Sequence, residues 1–287
     1  MKLIKPSVKY LSPPYNDIDS VYKHIEICAR TAYKSENNMT DDSAKSFVDK
    51  LIANNHLAML EHGTLYFTKS FREEEFIKKY KCNPYSIVSQ GNGFYYITTN
   101  MRVIVENNWI SDLKEPSVCT IRHLQRYTFR IICDRATAQQ ITRHRAFSFV
   151  MESQRYCNYS KGKFGNEITY IIPHWLDIEE GRYTSHPIEK DSDLIPINSV
   201  NSYAGQEFLS SLENCEKSYF NIQRHKSPQD ARGVLPNATK TELIVTGYLD
   251  DWLHFFDLRL FDKTGVAHPD IKIISDKLYR FFNNKDN

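Results

Sequence analysis

Arg143-His144-Arg145, followed after seven residues by Ser153-Gln154-Arg155-Tyr156, constrains the local fold of this chain more than any other stretch. In an unbroken helix each residue turns the chain by about 100°, so Arg143 and Arg145 would face nearly opposite sides and could not grip one ligand. A helix that ends near Arg145, with the chain reversing through residues 146–152, would instead bring both arginines and the Ser153-Gln154-Arg155 backbone to one polyanion. A nucleotide or dinucleotide is the ligand class that suits such a site, because the planar guanidinium binds phosphate through two parallel hydrogen bonds. Taken alone, a short run of Arg and His is more often a solvated helix face. The rest of the sequence decides between these readings.

Charge narrows the choice. The net charge is only +2 and Lys and Arg are dispersed from end to end, so no whole-molecule field points to nucleic acid or an anionic membrane, and any anion site is local. A length of 287 residues is enough for a substantial core, and one compact domain over 1–287 with insertions is expected. Cys28, Cys82, Cys119, Cys133, Cys157 and Cys215 show no C-x-x-C spacing. Neither a zinc site nor a disulfide framework follows, and reduced thiols in a cytoplasmic protein are expected. No apolar segment precedes the Pro13-Pro14 break and no later run holds 18 apolar residues, so no membrane span or export signal is predicted.

Helical spacing of Val21, Ile25, Cys28, Ala29 and Ala32 behind Asp17 predicts a first capped helix. Thr40-Asp41-Asp42 precedes a second, with Ala44, Phe47, Val48, Leu51 and Ile52 as its stripe. His56-Leu57-Ala58-Met59-Leu60-Glu61-His62 then leads into a strand at 64–68. Two histidines and a carboxylate could ligate a metal, but no third cluster stands nearby and no metal site is expected. An insertion is expected at about 71–118, with a charged helix at 73–80, the turn Gly91-Asn92-Gly93, and strand at both 95–99 and 101–105. Phe129, Ile131 and Cys133 mark one face of a strand at 127–133. Asp134 caps the helix that carries Gln140 into Arg143 and His144, with these three on one face. Beyond a loop at 157–167 and a short strand at 169–173, a surface excursion is expected at 177–201, and a helix from Tyr203 to His225.

Three motifs in order carry a resemblance. Arg143-His144-Arg145, seven residues, then Ser153-x-Arg155-Tyr156 resembles the signature of the flavin-dependent thymidylate synthases. His56, Glu61 and His62 match a second family segment, with Ala58 where a hydroxyl residue is usual. Ala231-Arg232-Gly233-Val234-Leu235-Pro236, expected to lead into a helix, and Trp252-Leu253-His254-Phe255-Phe256-Asp257-Leu258-Arg259 are similar to the third. Arg232 and Arg259 stand among apolar neighbours, where a guanidinium without an anion or solvent costs several kcal/mol.

The resemblance implies an α/β fold, a central mostly antiparallel sheet with flanking helices, assembled as a homotetramer whose active sites are shared between chains. It implies methylation of dUMP to dTMP, with methylenetetrahydrofolate as carbon donor and FAD, reduced by NADPH, as hydride carrier. Carried over by position, His56, Arg143, His144, Arg145 and His254 would hold FAD. Gln140, Arg143, Ser153, Gln154, Arg155, Arg232 and Arg259 would bind dUMP, and Arg259 would act catalytically at the uracil edge. No cysteine attack is needed, which makes Cys157 a bystander. Val150 and Met151 depart from the usual polar residues, and Tyr248-Leu249-Asp250 replaces an Asn-x-Arg contact to flavin. Three rivals follow: a family member that keeps FAD and nucleotide binding without synthase activity, a nucleic-acid-binding protein, and a metal-dependent hydrolase built on His56, Glu61, His62 and His144.

Overall fold

Three sheets, rather than the single central one expected, organise the chain, and the computed structural model describes residues 1–11, 17–186 and 193–283. The Pro13-Pro14 break and part of the 177–201 excursion lie outside the described residues. In chain order the first elements are β1 (Lys2–Ile4), β2 (Ser7–Tyr10), α1 (Ile18–Arg30), α2 (Ser43–Ala53), β3 (Thr64–Ser70), α3 (Glu74–Lys81), β4 (Ile87–Gly91), β5 (Phe94–Asn100) and α4 (Met101–Glu106). There follow β6 (Arg126–Asp134), α5 (Arg135–Ile141), β7 (Ser148–Met151), β8 (Thr169–Ile171), β9 (Gly181–Thr184), β10 (Leu194–Pro196), α6 (Tyr203–Gln223), α7 (Pro228–Ala231), β11 (Lys240–Tyr248), α8 (Leu249–Arg259) and α9 (Pro269–Asn283).

Asp17 caps α1 by accepting from the Ser20 N–H, and Asp134 caps α5 by accepting from Thr137, each satisfying an amide the helix leaves open. The stretch 101–105 is helical rather than strand. Its β-branched residues favour a strand, but the Asn100 side chain accepts from the Val103 N–H and starts α4 instead. The segment after Ala231-Arg232 also differs, since strand β11 comes before helix α8.

The sheet that positions the site is antiparallel throughout, in the order β2-β6-β11-β7. Alternation puts Phe129, Ile131, Cys133, Leu243 and Val245 on one face. There they meet Trp252, Phe255 and Phe256 of α8 and Ile271, Ile274 and Leu278 of α9 in one core. Each of these large side chains contributes about 1.5–3 kcal/mol by leaving water. The other face is polar near its middle: Thr128 and Thr246 hydroxyls lie 2.8 Å apart, between His24 of α1 and His62.

A second sheet, β3-β5-β4, is an antiparallel sheet packed on α1, α2 and α4. The third, β10-β9-β1-β8, is mixed and packs on α6. The expected excursion at 177–201 is therefore structural where it is described: β9 pairs with β1, and Tyr183, Ile197 and Val200 are buried.

Candidate active site

The helix α5 stops at Ile141, four residues earlier than expected, so Arg143 and His144 do not share a helical face with Gln140. Residues 142–147 form a turn that feeds β7, which pairs antiparallel with β11. The reversal delivers Arg143, His144 and Arg145 to the side of α8, because β11 runs directly into that helix. On α8, Asp251, His254 and Leu258 fall three and four residues apart and so face one way. Together with Arg259 they close a pocket of about 330 Å³ over the Arg-His-Arg turn. Phe147 forms its floor, packed on Trp252 with ring centroids 4.4 Å apart. Its ring lies across Gly247, where any Cβ would overlap it, so only glycine lets the turn sit this close to the end of β11.

Within the pocket Arg259 Nε donates to His144 Nε2 at 3.0 Å. Burial, then the Arg259 and His254 charges, push the His144 imidazole down to about 4. It is therefore neutral near pH 7, with its proton on Nδ1 and its Nε2 lone pair fixing Arg259. Arg30, Arg102, Arg130, Arg182 and Arg280 are each paired with a carboxylate. No carboxylate among the described residues is paired with Arg143, Arg145, Arg155, Arg232 or Arg259. The pocket's own acid, Asp251, accepts from the Tyr248 N–H at 3.0 Å, and burial raises its carboxyl above the usual range. The pocket thus gathers three guanidinium groups, Arg143, Arg145 and Arg259, with no paired carboxylate among the described residues.

A second cavity of about 290 Å³ shares the wall formed by Arg145, Ala146 and Phe147. Sequence reasoning missed most of its lining. Arg126, at the start of β6, donates from Nη1 to the Glu61 carbonyl at 2.8 Å and from Nη2 to Ser148 Oγ at 3.1 Å. Glu61 also holds Arg102, with Nη1 to Oε1 at 2.6 Å. The one hint in sequence is an arginine opening an apolar strand. Its partners lie 22 and 65 positions away.

Of the expected site residues, Arg143, His144, Arg145, His254 and Arg259 are brought together. Gln140, Ser153, Gln154, Arg155, Arg232 and His56 are not among the residues of that pocket. Arg155, Arg232 and His56 are exposed, and Gln154 is buried at 7% exposure. Ser153 Oγ accepts from the Arg155 N–H at 3.4 Å in a tight turn. His62 is bonded through Nδ1 to Thr246 at 2.8 Å, and burial pushes it down to about 3. Cys157 is fully buried, and burial with nearby Glu152 pushes its thiol up to about 12, which leaves it unreactive. Asp250 is exposed and lines a different cavity with His123, Gln125 and Tyr127.

Residues 96–286 match the family described as thymidylate synthase complementing protein. The chain belongs to that family. The match includes the Arg-His-Arg turn, the Ser153–Tyr156 segment, Arg232 and α8, and begins after His56 and His62. Curated relatives of this family are named flavin-dependent thymidylate synthase. One from Pyrococcus horikoshii is 35% identical over 48% of this chain and 47% of its own length. Another, from Corynebacterium diphtheriae, is 29% identical over 49% of each chain. A probable flavin-dependent thymidylate synthase of Paramecium bursaria Chlorella virus 1 is 26% identical over 50% of this chain and 61% of its own. The chain spans about half the length of the first two. Among solved structures, the UMP/dUMP methylase PolB from Streptomyces cacaoi bound with 5-Br dUMP covers 99% of this chain and 93% of its own, at 16% identity and a TM-score of 0.45. That likeness is too loose to argue from.

Proposed function

We propose that this member of the thymidylate synthase complementing protein family methylates dUMP to dTMP, with methylenetetrahydrofolate as carbon donor, FAD as bound cofactor and NADPH as reductant. The observation that carries the reading is the arginine pocket: Arg143, Arg145 and Arg259 converge without a paired carboxylate around a neutral His144. Two cavities sharing one cationic wall offer the elongated volume a dinucleotide needs, and each is of the size small-ligand sites show. In this reading Arg143, His144, Arg145, His254 and His56 hold FAD. Bound there, the reduced flavin supplies the hydride that completes the methyl group.

Arg259 is the catalytic residue. Its Nε is engaged by His144, a fixed partner that aims the guanidinium, and its Nη groups are held by no carboxylate among the described residues. A cation preset in this way stabilises negative charge on the pyrimidine as the ring nitrogen loses its proton, which makes the adjacent carbon the nucleophile. Gln140, Arg143, Ser153, Gln154, Arg155 and Arg232 bind the rest of dUMP, with arginines and turn amides neutralising its phosphate. Because Arg155, Arg232 and His56 are exposed and outside the arginine pocket, we assign them to the pocket of a neighbouring chain in a homotetramer. The insertion at about 71–118 of a single domain would then border the second cavity through Tyr85, Asn100, Arg102, Val103 and Glu106, and the insertion at about 177–201 would lie outside the shared site.

The departures at Met151 and Asp250 favour an active enzyme over an inactive relative. Asp250 lines another cavity rather than the arginine pocket, and Met151 packs against the apolar core beneath β7. The test is Arg259→Ala. The variant should retain FAD while dTMP formation falls at least about 100-fold, the loss typical of a preset charge-stabilising donor. Near-normal turnover would remove Arg259 from its role.

A further inference from the structure

The turn after β8 and the first residues of α9 bring His174, His268 and Asp270 together, with one potential ligand atom from each within 4.8 Å of the others. Asp270 Oδ1 lies 3.1 Å from His174 Nδ1, and Oδ2 lies 3.6 Å from His268 Nδ1. The two imidazoles meet edge to face at 5.4 Å between centroids. None of the three lines the arginine pocket.

We propose that these three residues bind a divalent transition metal of the zinc class. Zinc with nitrogen and oxygen ligands at about 2.0–2.1 Å needs donor atoms roughly 3.3 Å apart in a tetrahedron, and the 3.1 and 3.6 Å separations of the two imidazoles from the two Asp270 oxygens lie on either side of that value. Two imidazoles and one carboxylate select a first-row transition metal over magnesium or calcium, which prefer all-oxygen shells. The carboxylate is pinned. Asp270 Oδ1 also accepts the His174 backbone N–H at 2.8 Å, and Pro269 fixes the backbone at the start of the helix. The Asp270 N–H approaches His268 Nδ1 at 3.3 Å, which fixes that ring beside the carboxylate. Side-chain exposures of 32%, 54% and 19% for His174, His268 and Asp270 give an ion entry from solvent and leave the fourth position to water.

The placement says what the ion does. Ile172 and Leu176, on either side of His174, are buried in the core of the β1-β8 sheet. Ile271 and Ile274, just after Asp270, are buried in the core under α8. A metal at this point clamps one core to the other and fixes α9, on which the helix carrying His254 and Arg259 rests.

The experiment uses untagged protein, stripped with chelator and titrated with zinc chloride by calorimetry, with melting followed in parallel. One equivalent should bind, magnesium should not, and Tm should rise by roughly 3–6 °C at hundredfold excess over Kd. His174→Ala and Asp270→Asn, the latter keeping an acceptor for the His174 N–H, should each weaken binding at least about tenfold and abolish the shift. His268→Ala, at a more exposed position, should do the same. Failure of the wild-type protein to bind zinc stoichiometrically, or binding unchanged in all three variants, overturns the assignment. FAD content is a separate readout, so this result stands apart from the synthase reading.

Discussion

Glu242→Gln should destabilise the protein by about 3 kcal/mol at neutral pH, and by less in acid. Glu242 stands on β11 with its side chain 2% exposed, facing Lys34 Nζ at 2.8 Å, Lys240 Nζ at 3.3 Å and the Arg130 guanidinium. Burial pushes its carboxyl up, but Lys240, Lys34 and Arg130 outweigh burial and hold it at about 2 against an ordinary 4.5. At roughly 1.4 kcal/mol for each tenfold change in proton affinity, that depression is worth about 3 kcal/mol. The neutral amide also leaves three cations short of charge in a buried place, a change that costs roughly 3–5 kcal/mol in comparable pairs. Because the folded value is depressed, the stabilisation is complete above pH 4.5 and is lost as pH falls towards 2. The assay is urea unfolding at one fixed protein concentration, followed by tryptophan fluorescence. The wild type and variant should differ by about 3 kcal/mol at pH 7 and by about half that at pH 3. The consequence reaches the site, since the Glu242 carbonyl accepts the Glu152 N–H at 2.8 Å and so anchors the Ser153-Gln154-Arg155 turn. A gap below about 1 kcal/mol at pH 7, or one that widens in acid, would refute the reasoning.

Further outcomes follow from the same structure. Gly247→Ala drives a methyl into the Phe147 ring. It should cost about 1–3 kcal/mol in urea unfolding and lower the flavin retained on purification, since Phe147 floors both cavities. Burial holds His24 and His62 near 3, so stability should be level above pH 6.5 and fall as pH drops below it. His62→Gln should reduce that slope between pH 6 and 4 by up to about 1.4 kcal/mol per pH unit, and an unchanged slope counts against a neutral buried His62. Cys157→Ser should form dTMP within about twofold of wild type, because a thiol pushed up to about 12 supplies no nucleophile; a large loss would revive cysteine chemistry.

Local signals that need no distant partner were readable in the sequence. Asp17 and Asp134 announce their helices because a cap bonds three residues away. The alternation of Phe129, Ile131 and Cys133 fixes the buried face of β6. The chain reversal at Arg-His-Arg was readable because two arginines can reach one ligand only if the helix ends there. What was hidden depends on competition or on distance. Residues 101–105 read as strand by side-chain type, and a single Asn100 cap reverses the outcome. Arg126 looks like any arginine until Glu61 and Ser148 come into place around it. The His174, His268 and Asp270 cluster joins positions nearly a hundred residues apart, a spacing no local motif encodes.

Under the proposed function the arginine pocket holds a reducible flavin for dTMP formation. The most direct measurement is the absorption spectrum of the purified protein, followed in the same cuvette by anaerobic NADPH with and without dUMP. An oxidised flavin band that bleaches with NADPH, and dTMP on addition of methylenetetrahydrofolate, is the predicted result. Protein that carries no flavin and binds none when FAD is added would contradict the claim, and the pocket would belong to another anion.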